Sequence, residues 1–434
     1  MTSAIQKLRL LIIGYVWPEP RSSAAGSRML QLIQSFLDDG WEIVFGSAAQ
    51  LSEHRFDLTR LGVREQLLAL NCDSFDEFIG DYQPDAVLFD RFFTEEQFSW
   101  RVEKHCPQAL RILDTEDLHS LRQAREKLIK NFTATHGYKL TDITADFSVS
   151  AEAMSMEEPA LRELAAIWRS DISLMISQVE MQLLQKIFAV DSELLHYCPL
   201  MSSGNPASTT DFESRQHFVS IGNFRHAPNW DAVLCLKHQL WPAIRQQLPN
   251  AELHVYGAYL PPKASELHNP REGFLIKGWA EDAQQIIAQA RLLLAPLRFG
   301  AGIKGKLLDA MDAGTPSVTS SVGAEAMASI PAQGDEPFWP GAIADNQEDF
   351  VTSAVRLYTE KEPWQLAQQR GFTLARQAFA PEFHQRALMA HIYQTRQNLS
   401  QLRQKNFIGR MLQHHLLKST QYMSQWIQAK NLIR

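Results

Sequence analysis

The chain has 434 residues, 45% of them apolar and 21% charged, which bounds it to two or three globular domains and excludes a disordered, collagenous or disulfide-scaffold protein. Forty-two basic against 49 acidic residues leave a net charge of −7, so the whole chain is not a general nucleic-acid binder. No run of about 18 apolar residues is present to span a bilayer.

Lys7 and Arg9 precede an apolar run at 10–17, which is too short for a signal peptide and lacks a small-residue cleavage pattern. Residues 8–14 read instead as a strand buried on both faces of a parallel sheet. The four cysteines (Cys72, Cys106, Cys198 and Cys235) are far apart and form no C-x-x-C, which points to free thiols in a reducing, cytoplasmic setting. A Pro/Ser/Ala/Gly loop follows at 17–26. A helix is predicted at 27–39, ending at Gly40, and a second strand at 42–46. Further strands are predicted at 86–89, 110–113 and 173–176.

The polar stretch 201–216 reads as a linker, after which the rhythm restarts. Strands are predicted at 217–221, 251–256, 274–277, 292–295 and 317–319, with helices at 229–247, 281–290 and 304–313. The expected fold is α/β: two Rossmann-like, doubly wound domains facing across a cleft, spanning 1–205 and 206–385, with a basic helical segment at 386–434. Ligands in such sheets sit beyond the carboxyl ends of the strands, here the loops after Gly14, Phe89, Leu113, Ile221, Tyr256 and Pro296.

The most informative segment is 292–325, LLLAPLRFGAGIKGKLLDAMDAGTPSVTSSVGAE. A strand runs into Arg298, Gly300 and Gly302, then into a helix that opens with Lys304 and Lys306. Glycines let backbone N–H groups approach an anion, the helix start adds partial positive charge, and the lysines add full charges. A diphosphate is the natural guest. Gly300, Gly302 and Gly305 also match G-x-G-x-x-G, with Glu325 20 residues beyond, a dehydrogenase fingerprint. Against that reading, the loop lies deep in the second half, and the first loop (Ser23-Ala24-Ala25-Gly26) carries no such pattern. Asp309 is placed either to accept bonds from vicinal ribose hydroxyls or simply to favour the helix dipole.

This segment resembles the nucleotide-sugar loop of family-4 (group 1) retaining glycosyltransferases of the GT-B fold. LLDAMDAGTPSVT is similar to the family's run of Leu-Glu-Ala-Met-Ala-x-Gly-x-Pro-Val-Val. FVSIGNFRHAPNWDAVLCL and the Gly278-Trp279 turn resemble other parts of the same domain, over about 217–385. The resemblance implies transfer of a sugar from a UDP- or GDP-sugar to a glycan, lipid-linked or other hydroxyl acceptor, with retention and without metal, in cell-envelope or polysaccharide biosynthesis. It implies donor contacts at Gly222, Arg225, Gly278, Trp279, Arg298, Gly300, Ala301, Gly302, Ile303 and Asp309, and at Gly26 in the first loop. Lys304 and Lys306 would neutralise the leaving diphosphate, and Asp117 and His119 would act near the sugar, with Glu116 an outsider. Two departures stand out. Ala301 replaces the first of the family's two acids, and the family histidine is not at its usual place. These departures leave open a non-catalytic nucleotide-sugar-binding subunit; a GT-B-fold sugar-nucleotide epimerase is a separate alternative.

After Glu382 there is no Asp or Glu, while eight Lys/Arg lie between Arg386 and Arg434. Ile408, Met411, Leu412, His415, Met423, Trp426 and Ile427 recur at helical spacing there. Two readings stand: a helix lying on an anionic membrane surface at the inner face of the cytoplasmic membrane, or one packed back on the first domain with its basic face solvated.

Overall fold

The computed structural model describes residues 7–202, 211–328 and 338–432. Residues 203–210, half of the expected linker and the 205/206 boundary with it, lie outside the described residues, as does the side chain of His415.

The first sheet has seven parallel strands: β1 (Arg9–Gly14), β2 (Glu42–Ser47), β3 (Arg64–Leu67), β4 (Ala86–Asp90), β5 (Leu110–Asp114), β6 (Ile172–Met175) and β7 (Leu195–Tyr197). Their spatial order is β3-β2-β1-β4-β5-β6-β7. The second has six: β8 (Gln216–Ile221), β9 (Leu253–Tyr256), β10 (Phe274–Gly278), β11 (Ala290–Ala295), β12 (Ser317–Thr319) and β13 (Gly341–Ile343), in the order β10-β9-β8-β11-β12-β13. The order reverses between β1 and β4 and again between β8 and β11, which opens a crevice at the strand ends of each sheet.

The continuous apolar runs are explained by burial on both faces. Leu11 and Ile13 join one core with Val87 and Leu113, while Leu10 and Ile12 join the opposite core with Ile33 and Phe36. In the second sheet Leu292 and Leu294 face one core, and Leu293 and Ala295 the other. Three strands have no counterpart in the sequence reading. β3, β7 and β13 are short and partly exposed edge strands, so no apolar run marks them.

The helix expected at 229–247 is built as Ala227–Cys235, a π turn at Leu236–Leu240, and Trp241–Gln247. Pro242 has no N–H to continue an α-helical ladder, and the wider turn before it accommodates that loss. Helix Pro381–Gln397 returns to the first domain, where Leu388, Met389 and Ile392 complete the core containing Leu10 and Ile12. The last helix, Phe407–Leu432, packs on helices Arg91–His105 and Glu158–Arg169. No helix among the described residues is long and apolar enough to cross a membrane.

Candidate active site

The two sheets present their carboxyl ends to a shared cleft of about 510 Å³, within the usual span for small-molecule sites. All six loops singled out from the sequence contribute to its wall. The cleft is cationic: Arg21, Arg91, Arg122, Arg225, Lys304 and Lys306 line it, against Glu116, Asp117 and Asp309.

Two helix N-termini converge there. Helix Ala24–Asp38 starts the first-domain side, with Ser23 Oγ accepting from the Gly26 amide at 3.1 Å. Helix Gly305–Asp312 starts the other and has no side-chain cap, so it presents unpaired partial positive charge. Their approach depends on Gly305, where an added Cβ would lie 2.7 Å from Ala24 Cβ.

Lys306 Nζ donates to Asn229 Oδ1 at 2.7 Å, and burial pulls its pKa down to about 8. The lysine passes over Gly222, where a Cβ would come within 2.8 Å of that nitrogen. Lys304 Nζ donates to the Gly302 carbonyl at 2.6 Å, and burial lowers its pKa as well. Asp309 accepts from Gln284 Nε2 at 3.1 Å, and burial, reinforced by Asp312, pushes its pKa up to about 7. Gly300, Ala301 and Ile303 line the cleft beside them.

Asp117 pairs with Arg122 and lies 3.6 Å from His119 Nε2. Burial works to raise the Asp117 pKa, but Arg122 and then His119 hold it well below the usual carboxylate range. Burial drops His119 to about 3, so this imidazole is neutral at pH 7. His226 enters from the second domain and is likewise lowered by burial, to about 4. Arg225 stacks on Tyr259, 3.6 Å from the ring centroid, and Trp279 stacks on His54 at 4.2 Å.

Four of the residues expected to contact the donor stand back from the cleft wall. Arg298 is fully buried away from the cleft wall. Its guanidinium is committed to Asp231 at 2.5 and 2.8 Å and to the Gly137 and Lys139 carbonyls, so its charge anchors the loop and is not offered to a ligand. Gly302 is not part of the wall either. Its amide already donates to Glu180 Oε1 at 2.7 Å. Its glycine identity is required by φ +63° and by close approach, since a Cβ would meet Ile176 Cδ1 at 2.5 Å and Asp117 Cβ at 2.9 Å. Gly26 sits behind the wall formed by Ser22, Ser23, Ala24, Ala25 and Ser27, with its amide used in the cap. Gly278 ends β10 at φ +75°, and the wall begins one residue later at Trp279. Glu325, the distant acid of the dehydrogenase fingerprint, is locked onto Arg125.

The sequence reading missed Arg91, Arg122, Asn223, His226 and Asn229, which also line the cleft. Arg122 could have been found from its i, i+3 spacing to His119 on the same helix. Arg91 could have been found from its place directly after the apolar strand β4. Arg91 and Glu116 both have left-handed backbones, at φ +71° and +58°, at the ends of neighbouring strands. Strained non-glycine residues tend to gather where a site requires them. The Glu116 carboxyl is raised by burial, against the pull of Arg91.

The sequence of the second domain can be placed on this geometry. Residues 215–360 match the family model for group 1 glycosyl transferases. That span carries β8 to β13 and the lysine-bearing helix. Solved structures share the whole arrangement. Anabaena HepE, in complex with UDP and glucose, is 13% identical with a TM-score of 0.61, over 89% of this chain and 99% of its own. A glycosyltransferase from Rickettsia africae is 10% identical with a TM-score of 0.62, over 90% and 98%. Sucrose-phosphate synthase from Thermosynechococcus elongatus is 14% identical with a TM-score of 0.60, over 90% and 99%. At such identities the likeness is one of fold, the two-domain GT-B arrangement expected from the sequence. No curated protein matches the chain in sequence.

Proposed function

We propose that this protein transfers a sugar from a nucleoside-diphosphate sugar, UDP- or GDP-linked, to a hydroxyl of a glycan or lipid-linked acceptor, with retention and without a metal ion, in cell-envelope or polysaccharide biosynthesis. The observation that carries this reading is the uncapped N-terminus of helix Gly305–Asp312 at the cleft, with Lys304 and Lys306 beside it and Asp309 one turn further on. Fixed donors and cations aimed at a leaving diphosphate stabilise the charge that develops as the anomeric C–O bond breaks. In the retaining course, the acceptor oxygen bonds to that carbon from the same face, and its proton passes to the departing phosphate oxygen. Asp309 would receive the ribose hydroxyls, and Arg225, held over the Tyr259 ring, would border the base together with Trp279. The match to group 1 glycosyl transferases supports this reading, as does the UDP held by the similarly folded HepE.

The test is turnover of UDP- and GDP-sugars in EDTA, with Lys306→Ala as the control. Loss of one charge-assisted partner should slow turnover by about a hundredfold, roughly 3 kcal/mol. Near-normal turnover in the variant would remove Lys306 from the mechanism.

A second reading is a nucleotide-sugar-binding subunit without catalysis. Ala301, where the family carries an acid, favours it, because this side chain packs into the first-domain core. Donor hydrolysis by the isolated protein would exclude that reading.

A further inference from the structure

We propose that the C-terminal helix, Phe407–Leu432, is a docking surface for an anionic lipid bilayer and lies flat in the interfacial plane. The helix is 26 residues long, about 39 Å at 1.5 Å per residue. Its inward side buries Gly409 and Ser424, with Leu412, Gln413 and Ile427 half-buried around them. The Gln413 amide donates to the Arg169 carbonyl at 3.1 Å, and Arg101 donates to Ser424 Oγ at 3.3 Å. Gly409 sits so close that a Cβ would be 2.2 Å from the Trp168 carbonyl oxygen.

At 100° per residue, Phe407, Ile408, Met411, Tyr422 and Trp426 fall on the opposite side, with Met423 at the edge of the inward face. All six are exposed, and Tyr422, Met423 and Trp426 each expose 60% or more of their surface. The helix docks on the protein through a mixed face and still leaves these six large apolar and aromatic side chains exposed, in two clusters at 407–411 and 422–426. Exposed apolar groups gathered in this way mark an interaction surface.

Charge selects the occupant. Residues 383–434 contain no Asp or Glu. Lys418 and Lys430 are exposed among these side chains, and Lys430 Nζ lies 5.0 Å from the Trp426 ring centroid. Apolar and aromatic side chains interspersed with lysines that have long aliphatic stems suit the boundary between headgroups and acyl chains. The helix is not apolar enough to cross a membrane, so it would lie on the surface. The proposal rests on this helix alone and stands independently of the transferase reading.

The experiment is co-flotation of the full chain with phosphatidylcholine vesicles and with vesicles containing 30% phosphatidylglycerol. Binding is expected only with the anionic lipid and is weakened by salt. Met423→Ser/Trp426→Ser, at exposed positions that leave the inward contacts intact, should cut binding at least about tenfold. Lys418→Glu and Lys430→Glu should each cut it about fivefold. Absence of binding by the unaltered protein, or undiminished binding in both sets of variants, would overturn the proposal. So would self-association of the unaltered protein that Met423→Ser/Trp426→Ser abolishes, which would assign this face to a second copy of the chain.

Discussion

The amide of Gly302 donates to the Glu180 carboxyl at 2.7 Å, joining the glycine loop of the second domain to the first. Glu180 is fully buried, also receives the Leu118 amide at 3.3 Å, and has its pKa pushed up by burial to about 8. Glu163, likewise buried, is pushed up to about 7. A carboxyl raised above its unfolded value stabilises the fold most below that unfolded value, and the contribution is lost as pH rises through the folded pKa. The buried His119 and His226 act the other way, but only below their unfolded value near 6.5. Between pH 6.5 and 8 the carboxyls govern, and stability should fall by up to about 1.4 kcal/mol per pH unit for each such group. Glu180→Gln keeps the accepting oxygen and should flatten this slope. Thermal melts of both proteins across that window decide the point, and parallel slopes would remove Glu180 as the cause.

Asp309 titrates near 7 and Lys306 near 8. A carboxylate must be ionised to accept two ribose hydroxyls, and an ammonium must be protonated to hold a diphosphate. Nucleoside-diphosphate affinity should therefore rise from pH 6, peak between 7 and 8, and decline above. Asp309→Asn should weaken binding about tenfold at pH 7.5 and abolish the rise on the acid side. Calorimetric titration with UDP and GDP at four pH values reads both effects.

Arg125 bridges the domains by holding Glu325 at 2.7 and 2.8 Å and the Gly300 carbonyl at 2.8 Å. Glu325→Ala would leave a buried guanidinium without its counter-charge and should destabilise the protein by about 3–5 kcal/mol. Urea denaturation measures this. Paired replacement of Arg125 and Glu325 by methionine should recover much of the loss, which separates a structural clamp from a ligand contact.

Tyr259 donates its hydroxyl to Glu19 Oε2 at 2.8 Å, across one rim of the cleft. Tyr259→Phe removes one partly exposed hydrogen bond, worth about 1 kcal/mol. Nucleotide release in stopped-flow should quicken about fivefold, with little change in melting temperature. An unchanged release rate would show that this rim does not gate the cleft.

The sequence by itself determined the two parallel sheets, because strands buried on both faces must be apolar throughout and so read as unbroken runs such as Leu10 to Ile13. It also placed the glycine loop and its lysines, since glycines followed by a helix start and Lys304 and Lys306 form a local pattern. Tertiary structure alone decided which cations face the cleft. Arg298 and Lys306 look equivalent in the chain, yet Asp231, 67 residues away from Arg298, holds one inside the protein, while Lys306 lines the cleft. Arg91, Arg122 and His226 reach the cleft through strand order and domain approach, relations between residues far apart in the chain that local spacing does not encode. The tail divides in the same way. Its charge and periodicity are written in the sequence, but which side of the helix faces outward was settled by the fit of Gly409 and Ser424 against the first domain.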